Sequence, residues 1–253
     1  MNLGGISVII TTFNEEKNIG RCLEPLRGFG DVVLVDSLST DRTVEIAESH
    51  AVRVLTHPYE SAARQKNWAL EKVRNPWVLI LDADEVLTPE LKEEIERLPE
   101  TPPAQGYWIR RESEYLGRHI RHCGWQRDKV LRFFRRDRGA YEDTEVHEEI
   151  ALSGQVAMLE GRLLHYPYAS IEQHFQKINS YTTRGARDFV AKGGRLALLR
   201  MLVHPPFRFL RMYLLHRGFL DGIQGLVLCL LSSYSVLLKY AKAWECSLHR
   251  EER

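Results

Sequence analysis

Residues 78–85 have the sequence Val78-Leu79-Ile80-Leu81-Asp82-Ala83-Asp84-Glu85 and decide the fold class. Four large apolar residues in succession are typical of a strand that is buried on both faces of a parallel sheet. Two aspartates and a glutamate then follow within four residues, where such a strand ends. Because ligands of open α/β sheets bind outside the carboxyl ends of the strands, this stretch predicts an acidic site at the edge of a parallel sheet.

Three apolar runs precede this stretch, and each ends in polar residues: Ile6–Thr11, Asp31–Asp36 and Arg53–His57. Helical patterns alternate with the strands at Glu15–Leu26, Thr43–His50 and Ser61–Val73, and Thr88-Pro89 opens a fourth helix. We expect Asn14 to cap the first of these helices. Strands alternating with helices are typical of βαβ units and a mostly parallel sheet.

The regular alternation of strands and helices ends after residue 104. Gly106–Arg111 and Lys129–Arg135 are predicted strands without a crossover helix between them, and the chain is predicted to be helical after Ser170. The sequence therefore predicts an α/β domain over residues 1–168 and a helical extension over residues 169–253.

Composition limits the classes of protein that fit. The 253 residues include 35 basic and 34 acidic ones, so a net charge of +1 gives no field that would attract nucleic acid. The first residues carry no basic and apolar leader of the kind that directs secretion. Four scattered cysteines fit free thiols in a reducing compartment. We therefore expect a folded cytoplasmic protein without a nucleic-acid partner.

The acids at the end of the buried strand suit a metal site. Hard cations such as Mg²⁺ or Mn²⁺ prefer oxygen ligands and keep substrate phosphates in their coordination shell. Asp82 and Asp84 could hold such an ion against a diphosphate, which then becomes a better leaving group. The alternative is that both acids only cap the next helix.

Four motifs in order carry a family resemblance: Ile9–Glu16, Val33–Asp41, Ala63–Asn67 and the acidic strand end. In this order the chain resembles the family two glycosyltransferases, which share the GT-A fold. The resemblance implies a nucleotide-diphosphate sugar as donor and Mg²⁺ or Mn²⁺ as cofactor. It covers nearly the whole chain when the C-terminal third is included.

The resemblance also implies site residues. The donor-binding set is Thr11, Phe13, Asn14, Glu15, Asp36, Arg64 and Asp82. Asp84 is the better candidate for direct metal ligation, while Asp82 either ligates the metal too, binds the ribose or holds the waters of the metal. An arginine at position 64 can bind phosphate bidentately, whereas Lys66 is predicted to lie on a solvated helix face.

An inverting transfer needs a base for the acceptor hydroxyl. Many relatives have a Glu-Asp pair whose aspartate is the base, which corresponds here to Asp143. A closer subset has Val-His-Glu, which corresponds to Glu148 beside His147, and we favour Glu148 slightly. His119, His122 and Cys123 suggest zinc only weakly, because no second ligand pair stands at the spacing of a zinc finger.

The C-terminal third is basic and apolar. No acid occurs between Gly193 and Leu220, while five arginines are interleaved with apolar residues. We expect Pro205-Pro206 to start a basic amphipathic helix that lies on an anionic bilayer; the alternative is a helix packed on the catalytic domain. The uncharged run Ile223–Leu238 is predicted not to span a membrane, because 16 residues fall short of the roughly 18 needed.

This tail resembles that of bacterial transferases that build the inner core of lipopolysaccharide. That resemblance implies transfer of a hexose, glucose from UDP-glucose, to a lipid-linked saccharide acceptor such as a core heptose. It also implies a peripheral location on the cytoplasmic face of the inner membrane. No Gln-x-x-Arg-Trp motif of processive synthases is present, so we expect one sugar to be added per encounter.

Two other classes of nucleotide-binding protein lack their motifs in this sequence. A nucleotide-linked oxidoreductase would show Gly-x-Gly-x-x-Gly where Thr11–Glu15 stands, and a phosphotransferase would show a P-loop, which the chain lacks. The remaining alternative is a non-catalytic nucleotide-sugar-binding subunit of a membrane-associated cell-envelope assembly complex. UDP release with and without acceptor distinguishes that subunit from an enzyme.

Overall fold

The computed structural model describes residues 1–142 and 150–251. Its strands are β1 (Ile6–Thr12), β2 (Asp31–Asp36), β3 (Arg53–Thr56), β4 (Trp77–Asp82), β5 (Glu85–Leu87), β6 (Gly106–Tyr115), β7 (Arg118–His119), β8 (Lys129–Arg135), β9 (Gly139–Tyr141), β10 (Ile150–Leu152) and β11 (Val156–Tyr168). Its α-helices are α1 (Ile19–Leu23), α2 (Thr43–Glu48), α3 (Ala62–Leu70), α4 (Pro89–Arg97), α5 (Ile171–Ala191), α6 (Ala197–Leu210) and α7 (Gly222–Glu251).

Within these residues, one mixed sheet has the strand order β3-β2-β1-β4-β8-β6-β11-β5, and β7 pairs with β6. The first four strands of that order are parallel, while β8 pairs antiparallel with both β4 and β6. The α/β class and the four predicted parallel strands are confirmed. A separate hairpin of β9 and β10 joins Tyr141 to Ile150.

The central strands are buried on both faces because successive side chains point to opposite sides of a sheet. Ile10 and Leu81 pack into one core with residues of α1, α2 and α4. Ile9 and Ile80, one residue away, pack into a second core with α3. Continuous apolar runs in β1 and β4 are therefore required to fill two layers.

The first helix begins later than the sequence predicts. Asn14 is not its cap: this residue has φ 53°, and α1 begins at Ile19 after Asn18. Asn14 instead holds the loop after β2, because its backbone N–H donates to Ser39 Oγ (2.8 Å) and its Oδ1 accepts from the backbone N–H of Thr40 (2.8 Å). The predicted Thr88 cap of α4 is confirmed by its hydrogen bond from the N–H of Leu91.

The chain divides into two compact units. The first unit consists of Met1–Glu112 and Asp128–Tyr166. The second unit consists of Ser113–Arg127 and Pro167–Arg253, of which the last two residues lie beyond the described range. The division at residues 168 and 169 stays a prediction of domain organisation, since these units are defined by packing alone. The sequence does not indicate that residues 113–127 pack with the C-terminal helices.

The second unit is built on α5, α6 and α7, with a core that includes Tyr115, Met212 and Leu228. Pro205-Pro206 does not start a helix, as the sequence suggests, but lies inside α6. A π-helical turn, Arg211–Leu215, follows directly. Two prolines cannot donate backbone hydrogen bonds, and the carbonyl of Pro205 accepts one from Ser233 Oγ on α7 (2.8 Å).

One helical segment of the described residues, within Gly218–Leu248, is long and apolar enough to cross a membrane by length and composition. It is longer than the 16-residue run in the sequence, because helix continues on both sides of that run. Core helices of soluble proteins pass the same test, so length and composition do not establish a span. The prediction that this segment is not spanning stays a prediction.

Candidate active site

Three parallel strands bring polar residues to one edge of the first unit. Thr11 of β1 is paired in register with Asp82 of β4, and Thr12 with Asp36 of β2. The Oγ1 of Thr11 donates to Asp82 Oδ1 over 3.2 Å. The predicted clustering at the carboxyl ends of the strands is therefore present for Thr11, Asp36 and Asp82.

Asp36 is buried and organises the loop that follows it. Its carboxylate accepts hydrogen bonds from the backbone N–H (2.9 Å) and the hydroxyl (2.5 Å) of Ser39. Ser39 in turn accepts from the N–H of Asn14, as described above. The first two loops of the site, after β1 and β2, thus hold each other in position.

The next two donor candidates follow in the loop after β1. The ring of Phe13 is 56% exposed and available to stack on a ligand. Glu15 accepts from Asn18 Nδ2 (2.6 Å), and its backbone N–H donates to Thr43 Oγ1 (2.8 Å). Glu15 is thus held by α1 and α2, while Phe13 projects from the same loop.

Asp82 is bound by two cations. Lys66 Nζ lies 3.0 Å from Asp82 Oδ1, and an Nη of Arg132 contacts Asp82 Oδ2. Desolvation alone would raise the pKa of this carboxyl, but Arg132 and Lys66 hold it well below its usual range. Asp82 is therefore an anion whose two oxygens are already used by protein cations.

Lys66 contradicts its predicted place on a solvated helix face, because only 1% of it is exposed. It points from α3 toward the sheet and lies 5.4 Å from the ring centre of Tyr141. Two positions earlier, Arg64 points to the outside of the helix and pairs with Glu60 over 2.8 Å. A helix rotates about 100° per residue, so residues 64 and 66 face different sides.

Behind Asp82 lies a second buried acid, Glu85. Its carboxylate pairs with Arg111 (2.9 Å) and Arg132 (3.2 Å), and it accepts from the backbone N–H of Asp82 (3.0 Å). Arg111 also pairs with Asp128 over 2.8 Å. Burial raises the pKa of Glu85, but Arg132 and Arg111 bring it below its usual value. The network fixes the backbone that carries the acidic stretch.

Asp84 faces a different partner. Its Oδ2 lies 3.8 Å from Nε2 of His165 on β11, and its carbonyl accepts from the backbone N–H of Tyr166 (2.8 Å). Burial, followed by the nearby Arg111, lowers the pKa of His165 to about 4. This imidazole is therefore neutral at pH 7 and can offer a nitrogen lone pair.

The acidic site fits a divalent ion through Asp84 and His165. A carboxylate oxygen and a neutral imidazole nitrogen are both ligands of Mn²⁺, and the two atoms are close enough to share one ion. Asp82 fits less well as a direct ligand because Lys66 and Arg132 occupy its oxygens. In the part of the chain that the structure describes, no group of three or more His, Cys, Asp or Glu side chains is arranged to hold a metal.

The base candidates Asp143 and Glu148 lie outside the described residues. The described ends of their segment are fixed, because Tyr141 and Asn67 exchange two hydrogen bonds of 2.8 Å. Tyr141 is also paired with Ile150 across the hairpin. Tyr141, which precedes the segment by two residues, is therefore held against α3, the helix that supplies Lys66.

Sequence reasoning did not identify Lys66, Arg132 or His165 as parts of the site. Lys66 had a usable signal, since it lies in the Ala63–Asn67 motif, next to Asn67. His165 and Arg132 had none at short range, because β11 and β8 reach the acidic stretch only through sheet pairing. Strands that are far apart in sequence become neighbours through the strand order of the sheet. A local sequence motif carries no information about that order.

Comparisons with known proteins identify the family to which the chain is similar. The family model described as "Glycosyl transferase family 2" matches residues 7–152. The "Lipopolysaccharide core biosynthesis glycosyltransferase LpsC" of Rhizobium meliloti is 30% identical over 251 residues, covering 93% of each chain. The "Uncharacterized glycosyltransferase RT0209" of Rickettsia typhi is 30% identical over 256 residues, covering 96% of this chain and 88% of the relative.

Two solved structures resemble the chain at low identity. S. aureus TarS 1-349 in complex with UDP-GlcNAc has a TM-score of 0.49 at 14% identity, covering 97% of this chain and 92% of TarS. Glucosyl-3-phosphoglycerate synthase from Mycobacterium tuberculosis, in complex with Mn²⁺, UDP and glucosyl-3-phosphoglycerate, also has a TM-score of 0.49, at 16% identity, covering 76% and 81%.

The family model covers more than half of the chain, and the LpsC relative extends the similarity through the C-terminal helices. The GT-A-like fold and the family resemblance predicted from the sequence are confirmed. The chain belongs to glycosyl transferase family 2.

Proposed function

We propose that this protein is a metal-dependent, inverting hexosyltransferase that moves glucose from UDP-glucose onto a lipid-linked saccharide, such as a heptose of the lipopolysaccharide core. The observation that carries the proposal is that the two aspartates of the acidic stretch have different partners. Asp82 is neutralised by Lys66 and Arg132, while Asp84 lies beside the neutral imidazole of His165.

Asp84 and His165 would hold Mg²⁺ or Mn²⁺, and the ion would neutralise charge on the leaving diphosphate. Other residues of the chain bind the nucleotide part of the donor. Phe13 stacks on the base, and Thr11, Asn14, Glu15 and Asp36 line the nucleoside side from mutually bonded loops. When the donor binds, the guanidinium of Arg64 leaves Glu60 and pairs with a phosphate of the donor.

Asp82 acts in this proposal as a positioning residue. Its ion pairs hold Lys66 and Arg132 at the strand end, where their charge favours a diphosphate. It also fixes Thr11 through a hydrogen bond. Removing water from these charges strengthens their effect on a developing negative charge.

Either Glu148 or Asp143 takes the proton of the acceptor hydroxyl, and we favour Glu148. The proton moves to a carboxylate as the hydroxyl oxygen attacks the sugar carbon from the side opposite the diphosphate. Tyr141, whose ring centre lies 5.4 Å from Lys66 Nζ, precedes Asp143 by two residues. The name of the LpsC relative supports a lipopolysaccharide-core acceptor.

The second unit supports a membrane-side acceptor. Five apolar side chains of α6 and the following π turn form a stripe at helical spacing and are each at least half exposed: Leu199, Val203, Phe207, Leu210 and Leu214. A stripe of this size that stays exposed among the described residues is typical of a surface that meets another apolar phase. We propose that this exposed stripe lies on the cytoplasmic face of the inner membrane, with anionic lipids as its partner.

Measuring UDP release tests the proposal. Protein, UDP-glucose and Mn²⁺ are combined with a heptose-containing core acceptor, with UDP-N-acetylglucosamine as the alternative donor. We expect acceptor-dependent UDP release that disappears with chelator. Donor binding without release, with Mn²⁺ or Mg²⁺ and every core acceptor, would instead indicate the non-catalytic subunit and contradict the enzyme.

A further inference from the structure

The second unit contains a group of basic side chains drawn from two segments that are far apart in sequence. Arg208 and Arg211 lie three residues apart, so they share one face of the helix. His216 follows the π turn, and its backbone N–H donates to the carbonyl of Arg211 (2.9 Å). Arg127 comes from the short helical turn Trp125–Arg127. We call these four residues the basic cluster.

Backbone contacts hold the two segments together. The backbone N–H of Cys123 donates to the carbonyl of His216 (3.1 Å), and a Cβ on Gly124 would lie 3.7 Å from the His216 ring. The N–H of Arg127 donates to the carbonyl of Gly124 over 3.4 Å. Arg127 is therefore held within one turn of the residue that packs on His216.

The basic cluster lacks compensating acids. No acid occurs between Gly193 and Leu220, and none of the three arginines makes an ion pair among residues 1–142 and 150–248. The next acid, Asp221, is buried, and its carboxylate accepts from the backbone N–H of Arg121 and of His122 and contacts the His122 ring (3.0 Å). Asp128, the residue after Arg127, pairs with Arg111 over 2.8 Å. Both neighbouring acids are therefore engaged by other groups.

Electrostatics agree with the proximity of these groups. Desolvation, then Arg127, Arg211 and Arg208, lower the pKa of His216. Desolvation and Arg211 also lower the pKa of Arg208. Like charges that are held together without a counter-ion favour binding of an anion, and the exposed guanidinium groups can bind phosphate oxygens bidentately.

The position of the basic cluster relative to the exposed stripe indicates where the anion comes from. Arg208 and Arg211 each follow a stripe residue, Phe207 and Leu210, so they lie about 100° around the helix from the apolar face. If that face enters a bilayer, these arginines lie at the depth of the headgroups. The π turn that begins at Arg211 fits a functional position, since such distortions are frequent at binding sites.

We propose that Arg127, Arg208, Arg211 and His216 form a binding site for a phosphate group, supplied by the headgroup of an anionic lipid. This deepens the membrane association proposed above and rests on it. It differs from a diffuse basic helix because it requires Arg127, which lies outside α6 and outside the exposed stripe.

The test is flotation of the full chain with vesicles of phosphatidylcholine and phosphatidylglycerol. We expect Arg127→Gln to weaken binding about tenfold, the size of one charge-assisted hydrogen bond, and Arg208→Gln/Arg211→Gln to weaken it further. The matched controls are Arg187→Gln and Arg184→Gln/Arg187→Gln, which remove the same charge from exposed positions of α5 in the same unit and should change binding less than twofold. Circular dichroism and Tm verify that each variant is folded.

A second arm distinguishes the source of the phosphate. Inorganic phosphate is titrated into wild-type protein without vesicles, at constant ionic strength against chloride, and is then used to compete with vesicle binding. We expect weak saturable binding that Arg127→Gln abolishes, and displacement from vesicles. If phosphate binds the cluster but Arg127→Gln leaves vesicle binding unchanged, a lipid source is wrong.

Equal weakening by Arg127→Gln and by its control overturns the site. The membrane proposal would survive that result if substitutions in the exposed stripe still release the protein. Both arms measure binding without donor or acceptor, so a failure of the proposed sugar transfer would not alter them.

Discussion

Lys66 Nζ lies 3.0 Å from Asp82 Oδ1, and the lysine is almost completely buried. The pair joins α3 to the end of β4, which is the strand that carries the acidic stretch. A buried cation is stable only with its counter-ion. The stability of the first unit and the charge at its candidate site therefore depend on the same contact.

Lys66→Met should destabilise the protein by about 3 kcal/mol, because it leaves Asp82 with one fewer cation in a desolvated site. The free energy of unfolding, measured in urea, checks this. Lys72→Met, which changes an exposed lysine in the turn after the same helix, should cost less than about 0.5 kcal/mol. Combining Lys66→Met with Asp82→Asn should cost less than the sum of the single changes; simple additivity would contradict the coupling.

Asp84→Asn should abolish Mn²⁺-dependent binding of UDP-glucose, because the amide keeps the size of the side chain but removes the negative charge that a hard divalent cation prefers in its ligands. Calorimetric titration with and without Mn²⁺ measures this. His165→Gln should raise the Mn²⁺ concentration needed for half-maximal binding at least about tenfold. Asp137→Asn, which changes an exposed aspartate of the same unit, serves as the control. Normal metal-dependent binding by the Asp84 variant would remove the central assignment.

The sequence predicts the parallel half of the sheet well because each strand and helix there has its own local pattern. β2 begins and ends where the run Asp31–Asp36 predicts, and Thr88 caps α4. The start of α1 is wrong because Asn14 serves the neighbouring loop. The prediction that Pro205-Pro206 starts a helix is also wrong. Proline is common at the first position of a helix, but here both prolines lie within α6, where the carbonyl of Pro205 accepts a hydrogen bond from Ser233 of α7.

The candidate site is predictable only where its residues follow consecutive strands. Thr11, Asp36 and Asp82 are brought together by parallel register, which the βαβ pattern implies. Arg132 and His165 come from strands whose order in the sheet has no local signal. The charge state of Asp82 depends on Arg132, and the second proposed metal ligand beside Asp84 is His165.

Stability should fall on acidification because of His174. Desolvation, and then Lys177, lower the pKa of His174 to about 4, while its hydrogen bond with Tyr115 holds the ring in the core of the second unit. The unfolded chain binds a proton at a pKa of about 6.5, so between pH 6.5 and 4 it binds more protons than the folded state. The free energy of unfolding should decrease there by up to about 3 kcal/mol.

Urea unfolding of wild type and His174→Gln at several pH values checks this prediction. The variant should be less stable at pH 7.5 but show a weaker pH dependence between pH 6.5 and 4. His165 has a similar shift, so some dependence should remain. Identical slopes for the two proteins would mean that His174 is not held neutral by the fold.

Glu148→Gln and Asp143→Asn should separate the two base candidates. The true base should lose at least about 10²-fold in kcat with little change in the affinity for UDP-glucose, because general-base catalysis acts on the transition state. We expect that pattern for Glu148→Gln. Single-turnover rates measure the loss in the chemical step, and donor titrations measure the affinity for UDP-glucose. Glu142→Gln is the neighbouring control. A larger kcat loss for Asp143→Asn would reverse the assignment.

Phe207→Ser/Leu210→Ser should release the protein from anionic vesicles. Both residues belong to the exposed stripe, and a fully buried side chain of this size is worth about 1.5–3 kcal/mol, so even partial insertion predicts a loss of tenfold or more for the pair. Val156→Ser/Ile171→Ser removes exposed apolar side chains that do not belong to α6 or to the exposed stripe and should change binding less than twofold. Because the double variant keeps every arginine, retained vesicle binding would show that charge alone holds the protein at the membrane and that the stripe does not insert.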